Sequence, residues 1–406
     1  MKLQRALVLW VSMGTAVAIF YTAPAGAALE GEWEGLSVAE RQDLTLIAES
    51  EGIGTDEAMD RVAWQNDFAM AATAVQEAHP ESFAYAEITS EMPAVGSISF
   101  VGSVPVDAYK LLTSVPAGVK VELIPGAELS AAAVDAAIID VHHAVSATGL
   151  VGDVTTSYDH EAGLVRVAAQ PKSEEDLTGQ EQAIRAMLPE SLPRYEIVLD
   201  PQFGGRDDVR KGGGRLELSG EGYLECTAGF NVIKPNGTTG VATAGHCLNN
   251  LTHENGNGDP EVDLNFQEGH RGDWGDFQWH TSTEGESDNF FYNWNSVRDV
   301  IAWSNPVDGQ TLCRFGQNTG ATCSGVNDLS VCKTSDGTEL CRLVRMNDDE
   351  AAGGDSGGPW YYGQTAYGYH QGSVGLGCGF LGLFSCDVWS RASYIDEALG
   401  VSVRAN

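Results

Sequence analysis

Cations are scarce in this 406-residue chain: 23 Lys and Arg stand against 57 Asp and Glu, a formal charge of −34. So negative a surface repels phosphate backbones and anionic headgroups, which excludes nucleic acid and acidic membrane surfaces as partners. Cysteine is missing from the first 225 residues, and all 8 cysteines follow. The first half therefore has no disulfide framework, whereas an even number gathered in the second half points to an oxidised, stapled domain. Long apolar runs are missing too. The run from Ala6 to Phe20 falls short of the ~20 residues that a membrane span needs. What is present is an ordinary globular composition, 43% hydrophobic and 20% charged. The length suits two or three domains at roughly 100–200 residues each.

Lys2 and Arg5 precede that apolar run, and Ala25-Gly26-Ala27 follows it. A basic start, a short apolar stretch and a small-residue step predict a signal peptide over residues 1–27, and hence a secreted, extracellular product. Residues 28–210 mix two patterns and predict an α+β region, with helices over Ser37–Glu51, Asp56–Ala78 and Ser130–Thr148. Strands are expected at residues 96–101, 119–124 and 164–167. The pair His142-His143 lies in the third helix. Adjacent helical side chains point about 100° apart, so the pair is read as structural and no metal is expected. Residues 204–214 are rich in glycine and charge and read as an exposed linker, with a maturation site expected within 204–215. From residue 211 to 406, short strand-like runs separated by Gly and Asn turns predict an all-β domain.

Two motifs in that domain carry chemistry. In Gly354-Asp355-Ser356-Gly357-Gly358-Pro359 a serine sits between glycines. A serine nucleophile needs a base beside it and backbone donors for the oxyanion it creates, and glycines permit the tight turn that aims such donors. In Thr243-Ala244-Gly245-His246-Cys247 a histidine adjoins a cysteine, with Cys226 further upstream.

Together with Cys226-Thr227-Ala228-Gly229-Phe230-Asn231-Val232, these segments resemble chymotrypsin-fold serine peptidases, in particular the secreted actinobacterial streptogrisin and α-lytic protease branch. The resemblance covers residues 215–406 and implies two six-stranded Greek-key β-barrels. It implies a serine endopeptidase, a peptide hydrolase without a cofactor, acting on polypeptides as a monomer. The acid that orients the imidazole then falls between His246 and Ser356. Arg271-Gly272-Asp273-Trp274-Gly275-Asp276-Phe277 offers Asp273 and Asp276, and Asp276, which opens an alternating run, is the better match. Backbone N–H groups of Gly354 and Ser356 are implied as the oxyanion hole. Asp355 is implied as a structural acid whose partner the sequence leaves open.

Tyr367 to Ser373 resembles the strand that lines the specificity pocket. His370 stands where glutamate-preferring members carry a histidine, with Ser373 nearby. A histidine there either hydrogen-bonds an acidic substrate side chain or packs in a pocket that prefers apolar ones. The resemblance implies the bridges Cys226–Cys247 and Cys313–Cys323, and neighbour pairing adds Cys332–Cys341 and Cys378–Cys386. Where many relatives place a cysteine before the serine, this chain has Glu350, Ala351 and Ala352. The acid-rich stretch 253–263 departs from calcium-loop spacing and reads as a solvated insertion. Residues 28–210 occupy the place of the family's propeptide, a folding aid and inhibitor. The competing reading is a catalytically silent binding module on the same fold.

Overall fold

The structure, a computed structural model, describes residues 19–21, 35–89, 93–160, 162–172, 176–199, 214–219, 224–255, 261–283, 285–294, 296–335, 337–378 and 384–406. The side chains of 19–21, 335, 376–378 and 384 are excepted. The expected leader and maturation segment thus fall almost wholly outside the described residues, as do residues 256–260 of the acidic stretch.

In the N-terminal region, Ser37 starts the helix Val38–Glu51 through a capping box, its hydroxyl accepting from Glu40 N while Glu40 accepts from Ser37 N. Gly52, at φ 66°, ends that helix. The single helix expected over Asp56–Ala78 is two, Thr55–Val62 and Gln65–Ala78. The break at Ala63-Trp64 turns Trp64 inward and lets the Gln65 carboxamide accept from the backbone N of Thr311 at 2.7 Å. Tertiary contacts here outweigh helical continuity. Strands Phe83–Ile88, Val95–Val101 and Lys120–Ala127 complete this unit. A second unit stacks helices Ala131–Ala147 and Leu177–Met187 around strands Val151–Asp159, Leu164–Pro171 and Tyr195–Leu199, with its own core of Val141, Val154, Val165, Val167 and Ile184.

Residues 214–406 form two closed antiparallel barrels of one connectivity. In the first, the strands are Gly214–Leu218, Leu224–Ala228 continued as Asn231–Ile233, Thr239–Thr243, Leu251–Glu254, Val262–Asp263 continued as Asn265–Gly272, and Gly275–Thr281. Around the barrel they run first, second, third, sixth, fifth, fourth and back to the first. The second uses Thr311–Gly316, Gly320–Ser335, Thr338–Met346, Pro359–Tyr362, Thr365–Cys378 and Phe384–Arg391 in the same order. This is the all-β architecture expected. Closure gives every strand a neighbour on each side, although the far end of Gly320–Ser335, residues 331–333, has a barrel partner on one side only. The terminal strand Ser402–Val403 crosses back to pair with Asn231–Ile233.

The N-terminal region is seated on the second barrel. Val151–Asp159 extends its sheet, pairing antiparallel with Gly320–Ser335 at Ser157–Val331, Thr156–Cys332 and Thr155–Lys333. Asp43 is buried against Arg298, at 2.7 and 2.8 Å, and accepts from Gly363 N at 2.6 Å. Arg298 also stacks on the Tyr292 ring at 3.8 Å. Burial pushes the Asp43 carboxyl up to about 6 against the opposing charge of Arg298. His142 and His143 divide as their helical geometry requires. His143 Nε2 reaches Asp273 and Glu339, each at 3.1 Å. His142 is fully buried, with Nδ1 2.9 Å from Thr156 Oγ1 and Nε2 2.9 Å from Thr334 Oγ1.

Desolvation lowers the His142 pKa from 6.5 to about 3. The folded chain therefore needs the neutral ring: its stabilisation is complete above pH 6.5 and is lost progressively as pH falls toward 3. Between pH 7 and 5 the loss is about 2 kcal/mol. In urea unfolding of the full chain, His142→Gln is expected to lose less stability than wild type over that interval. Equal losses would remove His142 as the source.

Candidate active site

His246 lies in the turn after Thr239–Thr243 in the first barrel. A Cys226–Cys247 disulfide, with Cα atoms 6.1 Å apart, pins that turn to the second strand. Gln278 Nε2 donates to Cys247 O at 3.2 Å and fixes the turn from the other side. Gly245 is closely walled, and a Cβ there would lie 2.7 Å from His270 O and 2.8 Å from both Phe277 O and Asp276 Oδ1. Asp276 opens the sixth strand and is 1% exposed.

Ser356 belongs to the other barrel, in the loop before Pro359–Tyr362. Gly357 has φ 88°, and a Cβ would meet Thr243 Oγ1 and Thr227 O, so the bend after the serine admits glycine only. Thr227 holds this loop to the first barrel: its N donates to Ser356 O at 2.6 Å and its hydroxyl to Gly354 O at 3.1 Å. His370 straps the loop from below, accepting from Gly357 N at 2.7 Å and donating its N–H to Gly358 O at 2.8 Å.

The loops converge so that His246 Nδ1 is 2.5 Å from Asp276 Oδ2 and His246 Nε2 is 2.8 Å from Ser356 Oγ. A carboxylate only accepts, so Nδ1 carries the hydrogen, and Nε2 is left with the lone pair that accepts from the serine hydroxyl. Asp273 is not in this chain of contacts. It sits in the turn, against His143.

Asp355 is fully buried and finds its partner in Arg314, Nη1 to Oδ2 3.3 Å. It also accepts from Asn318 N, Thr319 N, Thr319 Oγ1 and Ala352 N. On its far side Arg314 Nε faces Asp387 at 3.7 Å, and Asp387 accepts from Glu350 N and Ala351 N. Carboxylates thus anchor the segment where many relatives have a cysteine. The disulfides Cys313–Cys323 and Cys332–Cys341 are formed. For the fourth expected bridge, Cys378 lies outside the described side chains, while Cys386 is buried and disulfide-bonded.

His370 and Ser373 are both buried. The His370 ring lies 6.3 Å from Trp360, which stacks on Trp389. Ser373 O accepts from the buried Lys333 Nζ at 3.0 Å. Sequence reasoning missed Thr227, Arg314, Lys333 and Asp387. Each follows a cysteine expected to be bridged, Cys226, Cys313, Cys332 and Cys386, and that adjacency was their one signal.

Removing Arg314 would strand two carboxylates in the barrel interior. Arg314→Met is expected to cost about 3–5 kcal/mol in denaturant unfolding. A loss under ~1 kcal/mol would mean that the ion pair does not hold this loop.

No family model matches the chain. Glutamyl endopeptidase 2 of Streptomyces griseus is 31% identical over 167 residues, 40% of this chain and 85% of that protein. Serine protease 1 of Streptomyces fradiae is 30% identical over 189 residues, 46% of this chain. The match spans only 49% of that relative, about half its length. Among solved structures, a glutamic acid-specific serine protease described as using a histidine triad in substrate binding is 28% identical, with a TM-score of 0.39, over 48% of this chain and 99% of that one. Thermobifida fusca protease A is 21% identical, with a TM-score of 0.38, over 49% of this chain and 100% of that one. Identity of 31% across most of a streptomycete protease, on twin barrels of one connectivity, means that the chain belongs to the chymotrypsin-fold serine proteases of the streptogrisin group.

Proposed function

We propose that this chain is a secreted serine endopeptidase made as a zymogen, with residues 1–27 as leader, 28–210 as propeptide and 211–406 as the enzyme. The observation that carries the catalytic reading is the continuous contact from Ser356 Oγ through both His246 nitrogens to Asp276, made across two barrels. Ser356 Oγ attacks the peptide carbonyl as its proton passes to His246 Nε2. The C=O pair collects on oxygen, which the N–H groups of Gly354 and Ser356 receive. Collapse expels the amine with the proton from His246 and leaves an acyl-serine, and water repeats the sequence to free the acid and Ser356. Asp276 keeps the Nδ1–H tautomer and offsets the imidazolium charge.

Loss of the serine oxygen removes the nucleophile outright. Ser356→Ala is expected to lower peptidase turnover by at least ~10⁴-fold and to abolish labelling by a fluorophosphonate probe. Near-normal hydrolysis by that variant would sink the assignment, and an unlabelled wild-type enzyme would favour the silent-module reading.

The propeptide reading draws on how the N-terminal region grips the second barrel, through a shared sheet and through Asp43, which accepts from Gly363 N in the turn between two of its strands. Barrels built on non-local pairing fold slowly, and a template seated on one of them would lower that barrier. Residues 211–406 alone are expected to refold more slowly than in the presence of residues 28–210 added in trans. Equal recovery of activity with and without the added region would refute the folding role.

A further inference from the structure

The second oxygen of the buried Asp276 has no hydrogen bond among the described residues. In so enclosed a position that is costly for a carboxylate oxygen. What faces it is Arg271, with Nε 3.3 Å from Asp276 Oδ1. The position follows from the hairpin. Asn265–Gly272 and Gly275–Thr281 are joined by Asp273-Trp274, and Arg271 is the residue directly opposite Asp276. Opposed residues in an antiparallel pair project from the same face with Cβ atoms about 5 Å apart, so a long cation at 271 reaches a short acid at 276 without distortion. The Arg271 side chain is 31% exposed, its guanidinium approaching the site from the solvent side.

We propose that Arg271 is a positioning residue for this site. Its guanidinium holds the oxygen of Asp276 that His246 does not use, and its charge weakens the hold of the His246–Asp276 couple on a second proton. This rests on the triad reading above. A carboxylate shared between an imidazole and a guanidinium offers less negative charge to the imidazolium, so the base stays unprotonated further into the acid range. The fixed guanidinium also prevents rotation of the carboxylate that would lengthen the contact to Nδ1.

The other charged groups around the couple are engaged elsewhere or lie further out. His270, on the same strand as Arg271, accepts from Trp274 N, and burial lowers its pKa. Asp273 is bridged to His143. Arg342, from Thr338–Met346, donates to Asp273 O and stacks on Trp274 at 3.9 Å. Phe384–Arg391 presents the neutral Ser390 Oγ, which accepts from Asp276 N. The helix Ile395–Leu399, packed on the same strand, carries Asp396 and Glu397.

The test follows the His246 ring by NMR of histidine-labelled full chain in a Ser356→Ala background, where turnover plays no part. Arg271→Gln is expected to raise the titration midpoint of His246 by about one unit, and Arg271→Lys, which keeps the charge, by roughly half a unit or less. In the activated enzyme with Ser356 intact, the acid limb of kcat/KM for a peptide substrate should move up by the same amount in Arg271→Gln. Its plateau kcat should fall roughly 3- to 10-fold with KM unchanged. A midpoint and acid limb in Arg271→Gln that superimpose on wild type would overturn the proposal. Failure of the triad reading looks different: Ser356 stays unlabelled in the wild-type enzyme while the NMR midpoint still moves with Arg271.

Discussion

Everything at this site depends on holding two barrels in fixed register, because Ser356 belongs to one and His246, in contact with it, to the other. A displacement of about 1 Å across such a contact can cost ~10²-fold in rate. The seam is fastened by direct hydrogen bonds. Thr227 grips the serine loop twice, Thr243 Oγ1 donates to Thr227 O, and Asp276 N donates to Ser390 Oγ across the same boundary. Phe277 and Tyr369 meet edge to face between them, at 5.7 Å. One threonine thereby links the strand before the histidine turn to the loop that carries Ser356.

Within the second barrel a single buried cation does a comparable job. Arg314 lies between Asp355 and Asp387. One of these carboxylates gathers the backbone N–H groups of 318 and 319, and the other those of 350 and 351. The loops flanking Ser356 are thus ordered by charge and main-chain donors at the place where many relatives have a covalent tie. Such an arrangement is demanding, since each member is stable in the interior only while its partners remain.

Much of this site was legible because its chemistry is local in sequence. Glycines must flank Ser356, a cysteine bridge sits beside His246, and Asp276 opens an alternating strand. What escaped was non-local. Arg314 and Asp355 are far apart in sequence, and no pattern in either segment announces the other. The same holds for Thr227 and Gly354. The helix break at Ala63-Trp64 escaped for a related reason, since Gln65 is drawn out of line by a backbone group of Thr311 in another unit. In the barrels, the alternating runs and turn residues conveyed the strands, whereas the order around each barrel is a property of closure. Arg271 is the instructive middle case: two residues of turn place it opposite Asp276, but only a known hairpin register makes that pairing visible.

The shared sheet between the N-terminal region and the second barrel has a consequence for the barrel by itself. Val331 and Lys333 pair on one side within the barrel, with Leu343 and Leu340, and residues 331–333 pair on the other with Ser157, Thr156 and Thr155. Were those neighbours cleaved away, this short stretch would turn a row of bare amide and carbonyl groups toward solvent, open to a strand of another molecule. The Cys332–Cys341 bond ties this very hairpin together. It would keep the two strands in step when their outer neighbour has gone, so its contribution is greatest in the shortened molecule.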